Sequence, residues 1–238
     1  MKRRLLVVRP QPGNAATLAA AKALGLAAVG EPLFRIVATR WTPPALEDFD
    51  AVLIGSANVL RHGGEALTGC ASLPAYVVGK STAEAARKAG FEVVATGSGG
   101  LQDLVARLGQ DGRKRVLRLA GAEHVSLRIA PNTVIATAVL YEAQPLSMGS
   151  DCAALLRDGA VVLLHSTAAA RHFASECKRL AIHRNAISLA CLGPRIAAAA
   201  GAGWASVASA ERPDDTALLA LAAWMCQNGR FGETDNNN

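Results

Sequence analysis

One apolar run that ends in a small-residue turn occurs twice in this chain, and no other feature limits its fold so tightly. Ala51-Val52-Leu53-Ile54-Gly55-Ser56-Ala57 returns as Val161-Val162-Leu163-Leu164-His165-Ser166-Thr167. Further on, Val77-Val78-Gly79, a helix and Ala89-Gly90-Phe91 return as Cys191-Leu192-Gly193, a helix and Ala202-Gly203-Trp204. Leu6-Val7-Val8-Arg9 is answered by Val116-Leu117-Arg118, and Leu33-Phe34 by Leu140-Tyr141. Self-similarity of this kind means two copies of one supersecondary plan. The copies predict two similar α/β units, and a cleft between two such units is a common place for a ligand.

The runs themselves say what kind of sheet. Strands are expected at Leu5–Val8, Ala51–Ile54, Tyr76–Val78, Glu92–Ala95, Val116–Leu119, Val134–Tyr141, Ala160–Leu164, Ile187–Leu192 and Ala205–Val207. Most are continuously apolar and do not alternate, which marks strands covered on both faces in a parallel sheet between helix layers. Ala-rich helices separate them. Ala15–Leu24 is followed by Gly25. Ser81-Thr82-Ala83-Glu84 reads as a capping box with Gly90 as the stop, and Pro213-Asp214-Asp215 places an Asp to cap a last helix near Thr216–Cys226. Arg35–Pro44 and Tyr141–Met148 read as paired linkers.

Composition narrows the function. The 238 residues are 51% apolar and 18% charged, so a real core is expected. Net charge is +6, which suits an anionic ligand. Aromatics are only 4%, which leaves few platforms for stacking bases, and nucleic-acid binding is not expected. The short basic clusters Lys2-Arg3-Arg4 and Arg113-Lys114-Arg115 are expected to flank strand edges. The five cysteines are scattered, with no CxxC pair, which fits reduced thiols in the cytoplasm and no metal site. The chain opens on a strand pattern, so no signal peptide is expected, and no apolar run reaches membrane-spanning length. The tail from Gly232 to Asn238 is expected to fray.

Several motifs fail on inspection. Gly79-Lys80-Ser81-Thr82 ends like a P-loop, but Pro74 stands where the first glycine is needed, and nucleoside-triphosphate binding is rejected. A turn that opens a helix remains, and its N–H groups favour an anion. Gly97-Ser98-Gly99-Gly100 lacks dinucleotide spacing and reads as a βα loop. Ser56 and Ser166 sit in no nucleophile elbow and read first as helix caps, although both lie at carboxyl ends of strands. The histidines at 62, 124, 165, 172 and 183 form no ligand pattern. Tyr141, one of two tyrosines, reads equally as a half-buried packing residue with a wet hydroxyl.

Taken together in order, the motifs resemble the uroporphyrinogen-III synthase family. Leu6-Val7-Val8-Arg9-Pro10 looks like its first strand, and Phe49-Asp50 through Ile54 with Ser56-Ala57-Asn58 like its strand and turn, Gly55 standing for the usual Thr. Val77-Val78-Gly79-Lys80-Ser81-Thr82-Ala83 and Ala89-Gly90-Phe91 are similar to its capped helix. Val139-Leu140-Tyr141-Glu142, Leu164-His165-Ser166, Leu192-Gly193-Pro194 and Pro213 follow in order. The resemblance covers roughly residues 5–223. One departure stands out: Arg195 and Ile196 replace a small residue and Thr, so a hydroxyl is lost and Arg195 is left as a candidate cation for a carboxylate.

That resemblance implies an α/β fold of two similar domains, each a parallel sheet flanked by helices and joined by a two-stranded linker. Residues 1–36 with 144–238 would form one discontinuous domain and 38–142 the other. It implies cyclisation of hydroxymethylbilane, a linear tetrapyrrole, with loss of water and inversion of ring D, giving uroporphyrinogen III. No cofactor or metal is expected, and the protein is expected to act as a cytoplasmic monomer. Tyr141 is carried over as the catalytic residue. Arg9, Ser56, Asn58, Gly79, Ser81, Thr82, Ser166 and Gly193 are carried over as substrate-binding residues. Two alternatives remain: a two-lobe binding protein without catalysis, and a Rossmann oxidoreductase, which the missing glycine fingerprint disfavours.

Overall fold

The computed structural model describes residues 3–98 and 100–228. The tail expected to fray, Lys2 of the first basic cluster, and Gly99 of the glycine-rich loop lie outside the described residues. The chain divides into two compact units, Met1–Arg35 with Pro145–Asn238 and Ile36–Gln144.

The first unit is built on strands β1 (Arg4–Val7), β2 (Ala28–Gly30), β9 (Ala160–Leu164), β10 (Ser188–Cys191) and β11 (Ser206–Ser209), in the sheet order β11-β10-β9-β1-β2. Every neighbouring pair is parallel. Helices α1 (Gly13–Ala23) and α8 (Asp215–Asn228) cover one face; α5 (Ser150–Arg157), α6 (Thr167–Arg179) and α7 (Pro194–Ala200) cover the other. β9 shows why the run is apolar throughout. Val162 and Leu164 pack in the α5–α7 layer while Val161 and Leu163 pack in the α1–α8 layer. Both faces are buried, so alternation has no polar side to serve. Each large aliphatic side chain taken from water this way contributes roughly 1.5–3 kcal/mol.

The second unit holds β4 (Ala51–Ile54), β5 (Ala75–Val78), β6 (Val93–Gly97), β7 (Arg115–Gly121), β8 (Val134–Pro145) and the linker strand β3 (Phe34–Ala38), in the order β3-β8-β7-β4-β5-β6. From β8 to β6 the pairing is parallel. β3 runs against β8: the Leu146 N–H donates to the Leu33 carbonyl and the Thr39 N–H to that of Leu140, so the partners descend as β3 ascends. Helices α2 (Asn58–His62) and α3 (Lys80–Lys88) lie over one face and α4 (Leu101–Gln110) over the other.

Two sequence expectations needed revision. β2 and β3 were not among the strands expected. Also, α3 has no capping box. It begins at Lys80 with Gly79 as the N-cap, at φ 81°, and no side chain caps it. Only glycine enters that conformation freely, so the chain turns one step earlier than a serine cap allows, and Ser81 is left exposed within the first turn. The last helix is capped as expected: Asp214 Oδ1 accepts the Ala217 N–H at 2.8 Å. The basic cluster before β7 does flank a strand, and Asp50 accepts the N–H groups of Lys114 and Arg115 there, both at 2.9 Å. All five cysteines are free and buried.

Candidate functional site

Strand order decides where a ligand can enter each unit. In an open parallel sheet the crevice lies at the carboxyl ends of the two strands where the winding reverses. In the second unit those strands are β4 and β7, since the chain winds from β4 outward through β5 and β6 and then returns to β7. A cavity of about 200 Å³ opens there. It is lined by Gly55 and Ser56 beyond β4, Arg118 and Gly121 of β7, His124 after it, and Tyr141 of β8.

Tyr141 is half-buried, and its place depends on Gly121. A Cβ at Gly121 would stand 2.6 Å from the Tyr141 ring and 3.1 Å from its hydroxyl. The ring of His62 lies 6.2 Å away, tilted. Ser56 is not the helix cap expected of it: Ala57 is the N-cap of α2 and no side chain caps that helix, while Ser56, one residue earlier, closes a local turn in which its Oγ accepts the Asn58 N–H at 3.2 Å. Asn58 opens α2 and takes a hydrogen bond from Arg61 at 2.9 Å. Gly79, Ser81 and Thr82 stand one strand over, where β5 meets α3. Thr82 is 5% exposed. The uncapped first turn of α3 leaves N–H groups without an intrahelical acceptor, at the positive end of the helix dipole. The structure thus brings Tyr141 and Ser56 to one cavity and sets Asn58, Gly79, Ser81 and Thr82 along the same sheet edge.

In the first unit the winding reverses between β1 and β9. Arg9 follows β1, and its Nη1 donates to Asp215 at 2.6 Å and to Thr17 at 3.3 Å. His165 Nε2 lies 3.3 Å from the other Asp215 oxygen, but neither ring nitrogen makes an aligned hydrogen bond. His165, and then the Arg9 charge, hold the Asp215 carboxyl down at about 2, against burial, which alone would raise it. Ser166 is the N-cap of α6 and accepts the Ala169 N–H at 3.1 Å. Gly193 is the N-cap of α7 beyond β10. Of the two departures in α7, Arg195 is exposed and Ile196 packs against the core.

Reading the sequence missed Arg118, Gly121, His165 and Asp215 as site residues. A charged residue inside the apolar run Val116–Leu119 was the one available signal for Arg118. His165 and Asp215 meet only through the fold. Among the described residues no cluster of His, Cys, Asp and Glu is placed to hold a metal, and no helix is long and apolar enough to cross a membrane.

These features define a two-unit α/β protein whose strand-end crevices offer backbone amides, hydroxyls and guanidinium groups, a set suited to an acidic organic ligand. The chain belongs to the uroporphyrinogen-III synthase family: the model described as "Uroporphyrinogen-III synthase HemD" matches residues 15–220. Among solved structures it is similar to the uroporphyrinogen-III synthetase of Helicobacter pylori, with a TM-score of 0.60 and 16% identity over 92% of this chain and 98% of that one. The uroporphyrinogen III synthase of the extremely thermophilic bacterium Thermus thermophilus also matches, at 18% identity over 94% and 97% of the two chains, with a TM-score of 0.39. No curated protein sequence matches. At 16% identity the likeness to the Helicobacter pylori structure is one of fold.

Proposed function

We propose that the protein closes hydroxymethylbilane into uroporphyrinogen III. One observation carries the reading beyond family membership: the crevice that sheet topology predicts for a ligand is the place where Tyr141, Ser56 and a buried arginine converge. The substrate bears acetate and propionate arms and is a polyanion. A chain of net charge +6 with uncapped helix starts suits it.

The chemistry asks mainly for geometry. The hydroxyl of the hydroxymethyl carbon leaves as water, and the electron pair of the neighbouring pyrrole nitrogen takes up the vacancy as an azafulvene. The substituted carbon of ring D attacks that methylene and gives a spiro intermediate. Cleavage and reclosure then turn ring D over, and a proton is lost. Water leaves and no electrons are exchanged with a partner, so the net reaction requires no redox group. Tyr141 assists departure of the hydroxyl by donating its phenolic hydrogen; a weak acid gives a modest effect. In this reading Ser56, Asn58, Gly79, Ser81 and Thr82 are the substrate-binding residues of the second unit, and Arg9, Ser166 and Gly193 those of the first. Correct orientation is the larger contribution, since a positioned intramolecular attack gains most of its rate from restricted freedom. The same reading takes the protein as a cytoplasmic monomer, the residues 1–36 with 144–238 as one domain and 38–142 as the other.

The test is isomer analysis. Given fresh hydroxymethylbilane, the protein should yield the type III macrocycle after oxidation and chromatography. Type I alone, the uncatalysed product, ends the reading.

A further inference from the structure

Arg118 is the one charged side chain in the buried middle of β7, and it is 5% exposed. It stands on the same strand face as Val116, which packs with Leu53, Leu104 and Leu108 under α4. An arginine there is costly, because a buried guanidinium needs a compensating anion or a full set of acceptors. Among the described residues neither is supplied. Its one hydrogen bond among the described residues runs from Nη1 to the Val125 carbonyl at 2.8 Å. Arg118 makes none of the ion pairs among the described residues. Burial alone pulls its pKa down, with no carboxylate acting on it. Glu123, the acid nearest in the lining, is exposed.

A purely structural role would use the guanidinium to tie down the 122–133 crossover. The Val125 bond does that, but it uses one N–H of a group that carries several. The remaining nitrogens are not among the sealed, unpartnered atoms of the core. Arg118 lines the cavity together with Ser56 and Tyr141. The cavity is thus lined by a guanidinium that no carboxylate among the described residues neutralises, and a guanidinium is the side chain best matched to a carboxylate.

We propose that Arg118 receives a carboxylate arm of the tetrapyrrole, anchoring one pyrrole ring beside Tyr141. The inference rests on the synthase reading and adds a specificity-determining residue to it. The anion replaces the missing partner, so binding recovers the desolvation that folding imposes on Arg118. A ligand lacking the acid arm would leave that charge buried and unpaired, which is how such a site rejects near relatives of its substrate.

Steady-state kinetics of Arg118→Gln and Arg118→Lys with hydroxymethylbilane test this, each variant first shown to be folded by circular dichroism and thermal melting. Arg118→Gln should raise KM about 10-fold or more, as expected for loss of one charge-assisted pair. Its kcat should stay within about 3-fold, because the interaction exists in the ground state as well. Arg118→Lys should recover part of the affinity, since the charge returns without the fork. A folded Arg118→Gln enzyme with wild-type KM overturns the proposal. If Arg118→Gln does not fold, the wild-type protein decides. Its assigned Arg118 Nε–H signal should shift on titration with uroporphyrin III, and a signal unmoved at saturation overturns the proposal. Failure of the synthase reading looks different: wild-type protein would give only the type I product.

Discussion

Tyr141 and Gly121 form a pair in which the smaller residue fixes the larger. A methyl group at Gly121 would meet the aromatic ring at 2.6 Å, closer than any relaxed contact allows. Gly121→Ala should therefore push the ring out of place, and turnover should fall about 10-fold, the order expected when a positioned acid moves by a fraction of an ångström. Tyr141→Phe should cut kcat about 10- to 100-fold without lowering the melting temperature, since the ring and its packing survive. A folded Phe variant at wild-type rate makes Tyr141 a packing residue. Tyr141 and Ser56 were legible only through motif order, because neither carries a self-sufficient catalytic pattern. Arg118 was legible in principle, as a charge in an apolar run, but its solitude depends on what the fold puts next to it. His165 and Asp215 are 50 positions apart in the chain and join only at the sheet edge.

At the scale of elements, α6 is held to the start of α5 by one buried carboxylate. Glu176 takes two hydrogen bonds from Arg179, at 2.8 and 2.6 Å, and one from the Met148 N–H at 2.7 Å. His172 on the same helix reaches the Leu146 carbonyl at 2.8 Å. The Arg179 guanidinium, more than the Met148 amide, brings the Glu176 carboxyl from 4.5 down to about 2. A lowered carboxylate stabilises the folded state above its unfolded pKa, and the contribution disappears as pH falls through the folded value. Glu176→Gln should thus cost about 2 kcal/mol near neutral pH. Urea titrations should show the gap to the parent closing between pH 4.5 and about 2. A gap independent of pH would mean that packing, not charge, is lost. The strands buried on both faces were readable because their apolar runs leave no alternative. β2 and β3 were not: β2 is three residues long with Val29 exposed, and β3 pairs antiparallel at a sheet edge, where burial is partial and the apolar signal thins. The start of α3 misled for a local reason, since a Ser-x-x-Glu pattern loses to a glycine that can turn the chain sooner.

Across the whole molecule, the duplicated plan yields two sheets that wind differently. In the first unit the opening strand has one later strand beside it before the order reverses; in the second, two strands follow outward before β7 returns. The repeat in the sequence announced two copies but not this difference, which depends on which edge each linker reaches. The second unit is continuous in sequence, and its entry and exit strands are joined by the Thr39–Leu140 hydrogen bond. Residues 36–144 expressed alone should accordingly unfold in a single cooperative transition by circular dichroism, as a unit with its own core does. A broad, non-cooperative melt would show that it borrows stability from the rest of the chain.

The buried cysteines carry a practical consequence. Burial pushes the thiols of Cys152, Cys177 and Cys191 up to about 12 and that of Cys226 to about 11, and raises Cys70 as well. Thiolate is the reactive form, so the native protein should be silent towards Ellman's reagent until denaturant is added. A single cysteine placed on an exposed helix position can then carry a fluorophore or spin label in the otherwise unaltered chain, with the wild-type thiols serving as an internal gauge of unfolding.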